Sequence, residues 1–350
     1  MPLDGSPRIL ITRTSAVGDC ILTLPMLCAL RKHYPRAMLA WVTEPGPAQL
    51  LGEHPDLDQL LVVSKGWLKS LTRIKEIRKT LQELQIDTVL DPQSLTKSAA
   101  LGWLSGATRR IGFARPRGRE LALWLNREHH LPAAPHIVDA QLELLQQLNI
   151  KTGAARFRLP AWPEAESVAE QFVRRSHLGG GFVVLNPGAG WESRVWPAES
   201  YGRLARMLGE QLNLPSAVVW SGSDERSAAD RIQEKSGGHA VLAPPTTLRE
   251  LAGILRRARL FVGSDTGPLH LAGAVGTRCV GLYGTTHPDA SGPYGDHHQV
   301  VQAYFQKYQT SRERRRATND AMQAITPETV FQACQDQLQF NTLPAEPNAA

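Results

Sequence analysis

"RILITRTSAVGDCILTLPML", residues 8–27, places an apolar run closed by an arginine ahead of a loop with one glycine and one acid, and then a long apolar segment. A Gly-Asp pair alone marks a turn. Here it lies between a strand signal and a helix signal, and that succession recurs along the chain. In the first half, strands read "ILIT" (9–12), "LAWVT" (39–43), "LLVV" (60–63) and "TVLD" (88–91), with helical segments around 19–33, 70–85, 94–104 and 137–148. In "HIVDAQLELLQQL" (136–148), Ile137, Leu142, Leu144, Leu145 and Leu148 cluster on one helical face.

The alternation breaks at "KTGAARFRLPAWPEAES" (151–167), a linker signal with two prolines. It restarts with "FVVLNPGAG" (182–190), a helix near 198–213, "AVVWSG" (217–222), a helix near 225–236, "LFVGSDTG" (260–267), a helix near 268–275 and "CVGLYG" (279–284). Strand, crossover helix and strand, repeated in two halves, predict an α/β protein. Its two Rossmann-like parallel-sheet domains face each other across a cleft. Ligands in such sheets bind beyond the carboxyl ends of the strands. The expected division is 1–160 for the first domain and 161–325 for the second. A closing helix at 326–342 returns to the first domain, and 343–350 form a disordered tail.

With 350 residues, 42% hydrophobic and 21% charged, the composition is that of a soluble globular protein of two domains. No apolar stretch approaches the roughly 20 residues of a membrane span. The start, "MPLDGSPR", lacks the basic-then-apolar order of a signal peptide, so the cytoplasm is expected. Cys20, Cys28, Cys279 and Cys334 are spread too widely for a zinc knuckle or disulfide framework. They are expected as core thiols, with no bound metal and no cofactor. The net charge of +6 is local: "KGWLKSLTRIKEIRK" (65–79) carries six Lys/Arg against one Glu, and "RRIGFARPRGR" (109–119) five arginines. Such runs are either solvated faces or sites for an anionic ligand or anionic membrane surface. Nucleic acid is not expected, because no zinc-finger, helix-turn-helix or RRM signature is present.

The G-x-G-x-x-G turn and the P-loop are both absent, so any phosphate must sit on another helix terminus. The candidate is "VGSDTGPLHLAGAVG" (262–276). After the strand, Thr266 is placed to N-cap the next helix, Gly267-Pro268 opens it, and His270 falls in its first turn. Free N–H groups and the helix dipole favour an anion there. The same residues also suit a capped helix with a core-facing histidine.

Six blocks occur in order: "TRTSAVGDCILTLPML" (12–27), "DPQSLTKSAAL" (91–101), "NREHHLP" (126–132), "NPGAGWESRVWPAESYGRLARML" (186–208), "WSGSDE" (220–225) and "SDTGPLHLAGAVGTRCVGLYGTTHP" (264–288). Together, over nearly the whole chain, they resemble the ADP-heptose heptosyltransferases of lipopolysaccharide core assembly, glycosyltransferase family 9. "KSAAL" and "NREHH" are more similar to the first heptosyltransferase than to the second. The resemblance implies a GT-B fold and metal-independent inverting transfer, with Asp19 as general base. It also implies a donor site of Arg194, Glu225, Asp265, Thr266, Gly267 and His270. Arg194 stands where the family usually has a phosphate-contacting lysine, and Lys97 matches a lysine near the base. The implied donor is ADP-heptose, and the implied acceptor an anionic Kdo-lipid A type glycolipid. Lys65, Lys69, Arg73, Lys97 and Arg119 are candidates for reading that acceptor, with the protein peripheral on the inner membrane face. Many relatives carry a cysteine cluster before "ITPE"; here "AYFQKYQTSRERRRATNDAMQAITPE" (303–328) has none. Two other functions fit the residues: a family 9 enzyme with a different donor or acceptor, or a catalytically idle sugar-nucleotide-binding protein.

Overall fold

The computed structural model describes residues 6–339, which divide between Pro160 and Ala161 into two compact units. The first unit holds β1 (Arg8–Thr12), β2 (Met38–Thr43), β3 (Gln59–Val62), β4 (Thr88–Asp91), β5 (Arg109–Phe113) and β6 (Glu128–His130). They form one parallel sheet in the order β3-β2-β1-β4-β5-β6. The second unit holds β7 (Val183–Asn186), β8 (Ser216–Val218), β9 (Ala240–Leu242), β10 (Leu260–Ser264), β11 (Cys279–Leu282) and β12 (Gln299–Val301). Its sheet is also parallel, in the order β12-β11-β10-β7-β8-β9.

Counting strands within each unit, both orders are the doubly wound 3-2-1-4-5-6, and the switch points fall at β1/β4 and β7/β10. In this topology the central strands are covered on both faces, so they read as continuous apolar runs. Accordingly Ile9, Leu10 and Ile11, like Leu260, Phe261 and Val262, are buried. Leu10, Val42, Val89 and Leu101 pack in the first core, and Leu185, Val262, Val280 and Leu204 in the second. In the second core the rings of Trp196 and Tyr201 meet edge to face at 4.6 Å. The Tyr201 hydroxyl donates to the Asn186 carbonyl at 2.9 Å, fixing the end of β7.

Three elements differ from the sequence reading. The linker signal runs to 167, but a helix spans Pro163–Arg175, opened by proline at its start and by Glu164 and Glu166 in its first turn. The basic stretch 109–119 contains β5, because two arginine heads are satisfied within the fold and their stems join the sheet. The closing helix, Pro327–Gln339, expected to return to the first domain, packs in the core of the second unit. Val330, Phe331, Cys334 and Leu338 lie in the second unit's core, against the helix Ala198–Leu212 and strands β10 to β12. Each such large apolar side chain gains about 1.5–3 kcal/mol by burial, which decides the helix's place. The expected tail, 343–350, lies outside the described residues.

Candidate active site

The loop leaving β1 carries Asp19 on the short helix Val17–Ile21. Its carboxylate is half-exposed, with Oδ2 accepting from the Ala16 amide at 3.1 Å and pairing with Arg13 at 2.9 Å. Arg13 is buried, and its guanidinium also donates to the Pro92 carbonyl at 3.0 Å beyond β4. The Arg13 carbonyl is held by the Trp41 indole at 2.9 Å. A cation anchored to two central strands therefore fixes an acid that water still reaches. Lys97, expected beside this acid, instead donates to Ser15 Oγ at 2.6 Å and pairs with Glu44 at 2.9 Å. The cation on Asp19 is Arg13. Its only sequence signal is the arginine that closes the first apolar run.

The remaining acceptor candidates are dispersed. Lys65, Lys69, Arg73 and Arg119 are exposed, and Arg73 has Glu76 at 3.5 Å on an open helix face. Arg109, in contrast, makes a two-point contact with Glu128 at 2.9 and 2.7 Å. Arg110 donates to the Leu125 and Ala107 carbonyls at 2.8 and 2.6 Å, and Arg117 to the Pro135 carbonyl at 2.7 Å. Three of the five arginines in that stretch thus bind the fold's own oxygens.

Cys28, His54 and Asp56, distant in sequence, bring their ligand atoms within 4.8 Å of one another. Sequence spacing gave no sign of this triplet. Its polar atoms are engaged by protein: His54 Nε2 lies 2.5 Å from the Arg158 carbonyl and Nδ1 accepts the Asp56 amide at 3.1 Å. Asp56 pairs with the Arg158 guanidinium at 2.9 Å. Burial pushes the Cys28 thiol up to about 12, so it stays protonated at neutral pH. The cluster ties the connecting segment around Arg158 to the first unit.

In the second unit the candidates converge at the β7/β10 switch point. Asp265 follows β10 and is buried, with Oδ1 at 3.2 Å from His270 Nε2 and Oδ2 at 3.3 Å from Arg194. Arg194 also donates to the Asp265 carbonyl at 2.7 Å, and its own carbonyl accepts from Ser264 Oγ at 2.7 Å. Burial pushes the Asp265 carboxyl up, but the hydrogen bond and charge of His270 and the charge of Arg194 outweigh it, and the net shift is downward. Thr266 occupies the N-cap position of the helix Gly267–Ala274, yet its hydroxyl does not cap it. That hydroxyl donates to the Ser264 carbonyl at 3.1 Å and accepts from Asn186 Nδ2 at 3.4 Å. The amino end of a helix therefore opens beside an arginine without a side-chain cap, which favours an anion.

Glu225, on the helix Gly222–Lys235, accepts from the Ser221 amide at 2.8 Å. A Cβ on Gly188 would come within 2.4 Å of its carboxylate, so only glycine permits this approach of the β7 loop. Burial pushes the Glu225 carboxyl up. The Arg194 and Arg315 guanidiniums each lie 4.9 Å from the Trp191 ring centroid. Neither Trp191 nor Arg315 was singled out from the sequence, because a lone aromatic and a basic run carry no positional signal.

Residues 74–321 match the sequence profile of "Glycosyltransferase family 9 (heptosyltransferase)". The chain is 30% identical over 305 residues to a lipopolysaccharide heptosyltransferase 1 of Pseudomonas aeruginosa, covering 82% of this chain and 81% of that protein. The structure superposes on the Escherichia coli heptosyltransferase WaaC with ADP at a TM-score of 0.75 and 25% identity, over 94% of this chain and 99% of that one. A family 9 glycosyltransferase from Veillonella parvula shares the fold at a TM-score of 0.84 and 22% identity, over 95% and 98% of the two chains. With a profile match over most of its length and a parallel sheet of the same strand order in each unit, the chain belongs to glycosyltransferase family 9, the heptosyltransferases.

Proposed function

We propose that this chain is a metal-independent, inverting glycosyltransferase of lipopolysaccharide core assembly. It moves heptose from ADP-L-glycero-D-manno-heptose to a Kdo-lipid A type acceptor. The observation that carries this reading is Asp19: a water-accessible carboxylate, anchored by a buried arginine, in the loop after a central strand. In an inverting displacement such a carboxylate takes the acceptor hydroxyl's proton while the oxygen attacks the anomeric carbon. The ADP leaving group gains negative charge, and the uncapped helix at Gly267 with Arg194 would stabilise it. Glu225 would accept hydrogen bonds from donor hydroxyls, and Asp265 and His270 would hold Arg194 and the loop in place. In this reading the first unit takes the acceptor and the second the nucleotide sugar. The names of the relatives support it: lipopolysaccharide heptosyltransferase 1 for one, and WaaC with ADP-2-deoxy-2-fluoro heptose for another.

Among the described residues no helix is long and apolar enough to cross a membrane. The acceptor would be met by peripheral contact. Trp124, 85% exposed, and Trp103, 53% exposed, stand on two helices packed together, with exposed Arg119 nearby in the chain. Tryptophan beside cations suits an anionic lipid surface.

The test is an assay of purified protein with ADP-heptose and Kdo-lipid A, with and without excess EDTA, read by ADP release and product mass. Heptose transfer in EDTA is expected. Transfer only from another nucleotide sugar would replace the donor, and activity lost in EDTA but restored by magnesium would overturn metal independence.

A further inference from the structure

The stretch 303–318 folds over a cavity of about 520 Å³ within the second unit. Its lining includes Thr285, Thr286, Ser291, Lys307, Tyr308 and Arg314. Ser291 Oγ donates to Asp265 Oδ2 at 3.4 Å, and Thr286 also bonds that carboxylate, so the cavity opens on the Asp265 cluster. The hydroxyl of Thr285, only 3% exposed, is buried without a hydrogen-bond partner, as are the Nε atoms of Arg194 and Arg314.

Asp265 carries one negative charge and Arg194 one positive, so the ion pair itself is neutral. A diphosphate gaining charge as it leaves would find no net cation in that pair. Among the described residues no carboxylate pairs with Arg314 within 4 Å, and the Asp265 charge that reaches it is already paired with Arg194. Its backbone is fixed beside Arg194, because Ser193 Oγ donates to the Arg314 carbonyl at 2.7 Å. Burial and then the nearby Arg194 charge push its pKa down, against the weaker pull of Asp265. Two guanidiniums held close in a half-buried site repel one another, and an anion bound between them would turn that repulsion into attraction.

We propose that Arg314 is a donor-binding residue that, with Arg194, grips the diphosphate of the nucleotide sugar at the Asp265 end of this cavity, with the Thr285 hydroxyl as a further donor. The inference rests on the donor reading given above, but the recognised chemistry is the diphosphate itself. Because the arginine comes from the basic helix Ser311–Arg316, the 303–318 segment becomes a wall of the donor site rather than a surface loop.

Calorimetric titration of the full chain with ADP, AMP, adenosine and inorganic pyrophosphate tests this. Arg314→Ala should raise the Kd for ADP by about 10- to 100-fold, the range of a charge-assisted hydrogen bond to phosphate. The effect should shrink for AMP and vanish for adenosine. Should Arg314→Ala not fold, as judged by circular dichroism, Arg314→Gln keeps a polar, hydrogen-bonding side chain without the charge and serves in its place. An ADP affinity within about twofold of the parent, well below that range, would overturn the proposal, as would an equal loss for adenosine. If the parent protein binds pyrophosphate but not ADP, the nucleotide reading fails. The inference then stands or falls on whether the variant weakens pyrophosphate.

Discussion

Asp91 and Asp265 sit at corresponding places, the carboxyl ends of the fourth strand in each of two sheets of the same order, and both are buried. Their surroundings differ. Asp91 accepts from Asn126 Nδ2 at 3.0 Å and from the Ser94 amide at 2.8 Å, both neutral donors, and the Arg13 charge acts on it more weakly than these bonds. Burial therefore wins and pushes its carboxyl up. Asp265 faces Arg194 and His270, and its carboxyl is held down. A buried acid sealed by neutral dipoles pins a loop, and Gly112 is small enough to let Asn126 close over it. A buried acid among cations orders charges around a site. In the proposed function the chemical role of the first unit falls to Asp19, across the switch point, where water reaches the carboxylate.

The sharpest test of that division is Asp19→Asn. Turnover should fall by about 10²- to 10⁴-fold, the usual worth of a general base, with ADP binding unchanged. Single-turnover kinetics and calorimetry separate the two, and near-normal turnover would move proton removal to another residue. Next in size is Asp265→Ala, which leaves Arg194 largely buried without its carboxylate. A cost of about 3–5 kcal/mol in urea unfolding is expected for such a broken pair. Asp19→Ala removes a half-exposed carboxylate and leaves the buried Arg13 its bond to the Pro92 carbonyl, so it should cost less than Asp265→Ala.

The third test uses pH. The Asp265 carboxyl is held down, so its contribution to stability is present above the unfolded value of about 4 and is lost as pH falls through the lower folded value. The stability gap between the parent and Asp265→Asn should therefore narrow in acid. Asp91 is pushed up, so its burial weighs against folding while ionised and is relieved on protonation. The parent should gain on Asp91→Asn as pH falls toward about 4. Urea melts across the acid range read both slopes; slopes of the same sign would break the comparison.

The smallest effect is expected at the surface. Replacing Lys65, Lys69 and Arg73 with alanine should change stability by no more than about 0.5 kcal/mol. It should raise acceptor KM more than donor KM, and by less at high salt, since exposed charges are screened over roughly 8 Å. Equal constants in variant and parent would leave these charges as solvated faces.

The elements that proved easiest to read are the central strands. Doubly covered strands must be apolar along their length, and "ILIT", "TVLD", "FVVL" and "LFVGS" say so. Edge strands said less. β6, "EHH", and β12, "QVV", are short and half-polar. β5 was hidden because Arg109 and Arg110 read as a charge run, although the fold supplies Glu128 and three carbonyls for their heads. At the sites, Asp265, Thr266, Gly267 and His270 were legible as one block because they fall within six residues at a strand-to-helix turn. Arg13, Glu44 and Arg314 were not, since their partners lie 6, 53 and 121 positions away.

By itself, then, the sequence determined the alternation of strand and helix in two halves, the turn that opens a helix at Gly267, and the lone acid after the first strand. These follow from local rules, in which apolar period, glycine and proline act on neighbouring residues. Only the tertiary structure decided which cation holds which acid: Arg13 on Asp19, Lys97 on Glu44, Arg194 on Asp265. It also decided that the last helix completes the second core. An ion pair is set by distance in space and by the water excluded around it, and a helix docks wherever its apolar face is buried. Neither quantity is a property of neighbours along the chain.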